Sequence, residues 1–169
     1  MAYAIQTPSL GYPPIAEFIA ATGDYLTPPP YGTIVTAVDP TYGSGEFIFL
    51  KGVASTAVGS FVTYNLDDWS TALLAANAIG PVAIAMSACV LDKAGWYQIS
   101  GKAVGKVLAS YADNGLVFAT ATAGSVDDAV VDGDMVHLAK GASAIGTPSA
   151  GLAEFEISRP YTDDITTND

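Results

Sequence analysis

The chain has 169 residues, half of them apolar and only 14% charged, with 17 Gly and 10 Pro, a composition that suits one folded domain and excludes a disordered chain or a helical bundle. Six Lys and Arg against 17 Asp and Glu leave a formal charge of −11. That balance excludes a phosphate-tracking nucleic-acid surface, which needs clustered cations, and an acidic shell also repels membrane surfaces.

Residues 1–44 differ in character from the remainder of the chain. Met1 to Ala4 lacks the basic start of a signal peptide. Beyond it, Pro8, Pro13, Pro14, Pro28, Pro29, Pro30 and Pro40 are spread among Tyr3, Tyr12, Tyr25, Tyr31 and Tyr42. Each proline removes an amide donor and favours extended backbone, so the segment predicts an extended N-terminal arm rather than a central strand, with one or two helical turns possible over Ile15 to Ala21. An arm so apolar is not a solvated linker. It is expected to lie along its own barrel or along a neighbouring subunit. Pro28-Pro29-Pro30-Tyr31 also matches the four-residue PPxY pattern of WW-domain ligands.

Strands are predicted over 46–54 and 59–64. Trp69 to Leu91 then runs without a charge, long enough to cross a bilayer, but Gly80-Pro81 cuts it and its second half has strand period, so a membrane span is not the reading preferred. The preferred reading is a short Ala-rich helix or loop over Trp69 to Ala78, capped by Asp67 or Asp68, then a strand over 81–91. In Pro81-Val82-Ala83-Ile84-Ala85-Met86 the large apolar side chains alternate with small ones, which is period two. Asp92 to Gly95 reads as a turn, and 96–103 alternates again, with Tyr97 and Ile99 inward and Gln98, Ser100 and Lys102 outward. A further hairpin is predicted from 105–111 through Asp113-Asn114-Gly115, whose Asn-Gly accepts positive φ, to 116–121. Strands over 134–139 and 153–158 complete the set, the last with Phe155 and Ile157 inward and stopped by Pro160. An acidic tail ends the chain.

Catalytic equipment is sparse. His137 is the only histidine, and no nucleophile stands at a recognisable spacing from it. Cys89 is the only cysteine, which excludes an intrachain disulfide and reads as a small buried hydrophobe. Asp127, Asp128, Asp132 and Asp134 form an acidic loop that could ligate calcium, though without EF-hand spacing. Paired carboxylates such as Asp67-Asp68 or Asp163-Asp164 carry no substrate-stacking context. No enzyme is expected, and no cofactor.

The order GSFVTYN (59–65), an alanine-rich insert, GPVAIAM (80–86), GWYQISGKAV (95–104) and a closing polar strand resembles the head decoration, or cement, proteins of tailed bacteriophages over roughly residues 45–158. The resemblance implies a small antiparallel β-barrel or sandwich. Together with the pattern it gives an all-β protein divided as arm 1–44, barrel 45–159 and flexible tail 160–169. It also implies a virion protein on the outer surface of the capsid, made in the host cytoplasm, bound to the major capsid protein and assembled as a homotrimer, with no nucleic-acid or membrane partner. On that reading the arm supplies the capsid contacts, and the candidates are Tyr3, Ile5, Tyr12, Pro13, Pro14, Ile15, Phe18, Tyr25, Pro28, Pro29, Pro30 and Tyr31. A receptor- or glycan-binding β-module is the alternative.

Overall fold

A computed structural model describes residues 3–5, 11–20 and 28–165. Among them there is no helix, and the elements in chain order are β1 (Ala4–Ile5), β2 (Phe18–Ala20), β3 (Ile34–Asp39), β4 (Gly43–Lys51), β5 (Phe61–Tyr64), β6 (Thr71–Leu73), β7 (Gly80–Ala85), β8 (Lys93–Lys106), β9 (Phe118–Ala119), β10 (Val126–Asp127), β11 (His137–Gly141) and β12 (Leu152–Thr162). Ten strands form one curled antiparallel sheet in the order β1-β3-β4-β8-β12-β7-β5-β6, with β11 on β12 and β2 on β8, while β9 and β10 pair separately.

β8 organises the sheet because it changes neighbours along its length. Gly95 pairs with both β4 and β2, Tyr97 and Gln98 with both β4 and β7, and Gly101 to Lys106 with β12. A strand that exchanges partners in this way bends the sheet round on itself. The bend falls at a register shift between Glu46 and Phe47, opposite Gln98 to Ser100, where one extra residue on β8 makes a bulge.

The sheet is buried on both faces at this point. Tyr97 and Ile99 pack with Ile48, Leu50, Val62, Ala83 and Ala85 on one side. On the other, Trp96 and Ala94 pack with Phe47, Phe49, Val35, Ile15 and Ile19. A third cluster, centred on Phe61, Ile84, Phe155 and Ile157, fills the curl toward β12. The inward placement of Tyr97, Ile99, Phe155 and Ile157 agrees with the alternation. Gln98 does not follow it: it is 0% exposed, and its Nε2 donates to the carbonyls of Ser100 and Lys102, each at 3.1 Å. It is enclosed because a second layer covers that face.

That layer is the N-terminal region, which corrects the expectation of an extended arm. β3 pairs with β4 from Ile34–Ile48 to Asp39–Gly43, β1 adds to β3, and β2 docks on β8. The hairpin turn between β3 and β4 is set by Asp39, whose Oδ1 accepts from Thr41 N at 2.7 Å and Tyr42 N at 3.0 Å. The described prolines of this region, Pro13, Pro14, Pro28, Pro29, Pro30 and Pro40, stand outside the ladders, so their missing amides cost the sheet nothing.

Three further expectations are corrected. The Ala-rich stretch from Trp69 to Ala78 forms strand β6 between turns, because Trp69 and Asn77 take left-handed φ values of 61° and 60°, which no helix accommodates. Asp68 Oδ1 accepts from Ser70 N at 3.0 Å in a local turn. The hairpin from 105–111 to 116–121 does not form. β8 runs through Gly105 to Lys106, Tyr111 is buried against Phe155, and β9 pairs with β10 instead. Asn114 does take the positive φ, 58°, that its Asn-Gly pair predicts. Lastly, β12 continues past Pro160 to Thr162, since Arg159 at φ 51° makes a bulge where the missing proline amide is not needed. No described helix is long and apolar enough to cross a membrane.

Ile99 and Lys102 should therefore respond differently to truncation. Ile99→Ala removes a buried side chain and should cost about 2–5 kcal/mol, while Lys102→Ala loses a half-exposed ion pair worth under about 1 kcal/mol. That pair is Lys102 Nζ to Glu154 Oε2 at 2.7 Å. Urea denaturation of both variants checks the difference, and equal losses would place the wrong face of β8 in the core.

Candidate functional site

The twelve residues expected to form an external contact are largely used within the chain. Tyr3 is half-buried, edge-on to Phe47 at 4.8 Å, and its hydroxyl donates to the Lys102 carbonyl at 2.8 Å. Ile5 and Tyr12 pack on the same cluster, Tyr12 lying 6.2 Å from the Trp96 ring. The Pro13 carbonyl accepts from Trp96 Nε1 at 2.9 Å, and Ile15 is buried. Pro29 is buried, and Tyr31 stacks on Phe49 at 6.0 Å with Lys51 Nζ 5.4 Å from its ring centre. The PPxY tyrosine is thus engaged by its own sheet. Pro14, Pro28 and Pro30 are exposed, as is Phe18 at 42%, with Lys93 Nζ 5.9 Å from its ring centre. Tyr25 lies outside the described residues.

The acidic loop braces the fold. Asp128 Oδ2 accepts from Ala112 N at 3.0 Å, Asp127 Oδ1 from Asp128 N at 3.0 Å, and buried Asp134 accepts from Asn77 N. Among the described residues, no group of three or more His, Cys, Asp or Glu is arranged to hold a metal ion.

His137 has partners that its sequence neighbours did not reveal. A register shift between His137 and Ala139, with Leu138 at φ 58°, brings the imidazole against β12. Its ring stacks on Tyr161 at 4.8 Å, and Nε2 lies 3.4 Å from Asp163 Oδ1. Asp163 and Tyr161 read as tail residues in the sequence; only the extension of β12 past Pro160 places them here. The pair borders a cleft of about 440 Å³ between the loop carrying Val130 and Val131 and Ile165. Among the described residues, no serine, threonine or cysteine lines that cleft.

A second recess, also about 440 Å³, opens where β5, β6 and β7 end. Tyr64, Asn65, Ser70 and Thr71 give it hydroxyl and amide groups, with Leu66 and Ile79 exposed beside them.

Cys89 is a free, buried thiol, pushed from 9.0 up to about 11 by burial. Burial likewise raises the Tyr3 phenol from 10.0 to about 12. In both, the folded state favours the neutral form. The stability this gives is complete below the unfolded pKa and is lost as pH rises through the folded one. Denaturation midpoints should accordingly fall from about pH 9 upward, with Cys89→Ala flattening the decline between about pH 9 and 11. A midpoint independent of pH over that window would contradict the buried placement of the thiol.

Comparison with protein-family models, curated proteins and solved structures finds no match to this chain.

Proposed function

We propose that this protein is a structural component of a tailed-phage virion, binding the outer surface of the expanded capsid and stabilising it. The observation that carries the reading is the placement of the three motif segments. GSFVTYN holds β5, GPVAIAM holds β7, and GWYQISGKAV holds most of β8. β5 pairs with β7 and β7 with β8, so the residues that resemble decoration proteins make one continuous piece of sheet whose side chains Phe61, Ile84 and Tyr97 are core. A compact, acidic all-β body is consistent with a binding role.

The partner is the major capsid protein, and the decoration unit is a homotrimer on the virion surface. The exposed members of the N-terminal region, Pro14, Phe18, Pro28 and Pro30, are available for contact, while their neighbours hold the layer in place. The mechanism is mass action: a subunit that binds only the expanded lattice stabilises it by RT ln(1 + [L]/Kd) per site. Heating expanded shells of the virus that encodes this chain, with and without saturating protein, tests the reading. The disruption temperature should rise with protein concentration; no shift at saturation would overturn it.

The recess beside Tyr64 supports a second reading, a glycan-binding module, because it combines an aromatic ring with convergent hydroxyl and amide groups. Saturable binding of an oligosaccharide, lost in Tyr64→Ala, would favour that alternative.

A further inference from the structure

The turn at Asp113-Asn114-Gly115 holds the chain's only Asn-Gly pair. Asn114 is exposed, at φ 58°. Among the described residues, no hydrogen bond engages its side-chain amide or the Gly115 N–H. The segment is anchored to either side of that link instead: Ala112 N donates to Asp128 Oδ2 at 3.0 Å, and the Gly115 carbonyl accepts from Gly141 N at 2.9 Å. An electrophilic side-chain carbonyl and the nitrogen one residue on therefore stand together in an exposed turn, and neither is tied down.

We propose that Asn114-Gly115 is a site of spontaneous covalent modification, at which the folded chain converts through a cyclic imide to aspartate and isoaspartate. The Gly115 nitrogen attacks the Asn114 side-chain carbonyl carbon. A ring C–N bond forms, the bond to the side-chain nitrogen breaks, and that nitrogen leaves as ammonia with the Gly115 amide proton. Water, the only co-reactant, then opens the ring at one of its two carbonyls. Opening at the side-chain carbonyl leaves aspartate on the original backbone; opening at the backbone carbonyl leaves isoaspartate, with the chain running through the former side chain. Glycine suits the step because it has no Cβ to shield the attacking nitrogen.

The fold singles out this asparagine among those described. Asn77 is followed by Ala78, whose N–H already donates to the Ala75 carbonyl at 3.2 Å. Asn65 is followed by Leu66, and its Oδ1 accepts from Asp67 N at 2.9 Å. Asp132-Gly133 offers a carboxylate in place of the amide, and Gly133 is buried. Either product at 114 adds one negative charge to the formal −11, next to Asp113. Isoaspartate also lengthens the backbone by one carbon where there is little room, since a Cβ on Gly141 would stand 2.6 Å from Tyr111 Oη and 3.2 Å from Gly115 N. The chemistry is independent of the capsid assignment.

The test incubates the full chain at mildly alkaline pH for days to weeks, folded and in guanidinium chloride, then cleaves it after lysine for mass spectrometry. Fragment 107–140 carries Asn114 as its only asparagine, while 52–93 carries Asn65 and Asn77. In the folded sample 107–140 should gain about one mass unit, the exchange of NH for O, and 52–93 should stay unchanged. Part of the product should accept a methyl group from an isoaspartate-specific methyltransferase. Conversion at Asn114 in the folded chain should run within about tenfold of that in denaturant, as an open turn requires. Asn114→Gly, which keeps the left-handed turn and lacks the amide, should leave 107–140 unchanged in mass. If 107–140 converts in denaturant but not in the folded chain, the fold protects the turn and the proposal is overturned. Equal conversion of 52–93 in the folded sample would overturn it as well, because the turn would then have no special reactivity.

Discussion

Trp96→Ala is expected to cost about 3–5 kcal/mol and to loosen the N-terminal layer from the sheet. Trp96 is fully buried on the β8 face that this layer covers, edge-on to Phe49 at 5.1 Å and within 6.2 Å of Tyr12. Its Nε1 also donates to the Pro13 carbonyl at 2.9 Å. Truncation leaves a cavity the size of an indole and an unpaired carbonyl, and both penalties fall on the same contact. Trp96→Phe separates them. It keeps a ring and loses the hydrogen bond, so its cost should be near 1–3 kcal/mol, about the penalty for a buried acceptor left unsatisfied. Urea denaturation gives the energies, and chymotryptic cleavage at Tyr12 and Phe18 reports release of the layer. If Trp96→Ala lies within about 1 kcal/mol of the parent and both sites stay protected, the N-terminal region is not held by this face.

Gly101→Ala is the second large effect, at about 3 kcal/mol from backbone strain plus overpacking. Gly101 has φ 100°, and a Cβ there would stand 2.5 Å from the Ser44 carbonyl oxygen and 3.0 Å from Gly45 Cα. Those are backbone atoms of the neighbouring strand at the bulge, and they cannot turn aside as a side chain could. Gly146 supplies the control: its φ is 103°, but a Cβ there meets nothing within 4 Å. Gly146→Ala should therefore show the strain alone, about 1–2 kcal/mol. Equal destabilisation by the two substitutions would mean that the close approach of β4 and β8 contributes nothing.

The alternation in 96–103 places Tyr97 and Ile99 correctly, because period two reports which side chains share a face. It cannot report whether the other face is covered, and so it puts Gln98 in solvent. The Tyr- and Pro-rich composition of residues 1–44 does signal an apolar association, but composition carries no information about whose surface is covered. Structure assigns most of it to the chain's own sheet through Tyr3, Tyr12, Ile15 and Tyr31. In the Ala-rich insert, local helix propensity loses to two left-handed residues and to pairing of β6 with β5. The cleft is the least legible part. Val130-Val131 inside an acidic loop is a visible oddity, but its partners Asp163 and Ile165 arrive only because β12 runs through a bulge beyond Pro160.

The proposed attachment to the expanded capsid is tested by sedimentation. The purified full chain is mixed with expanded shells and with unexpanded procapsids of the same virus, each mixture is sedimented, and bound protein is quantified. Decoration predicts saturable co-sedimentation with expanded shells at a fixed ratio to the shell subunit, and at least about tenfold weaker association with procapsids. Because the chain carries −11 formal charges, added salt between about 0.05 and 1 M should screen repulsion between neighbouring copies and leave occupancy unchanged or higher. Absence of binding to expanded shells, or equal binding to both, would rule out a decoration role.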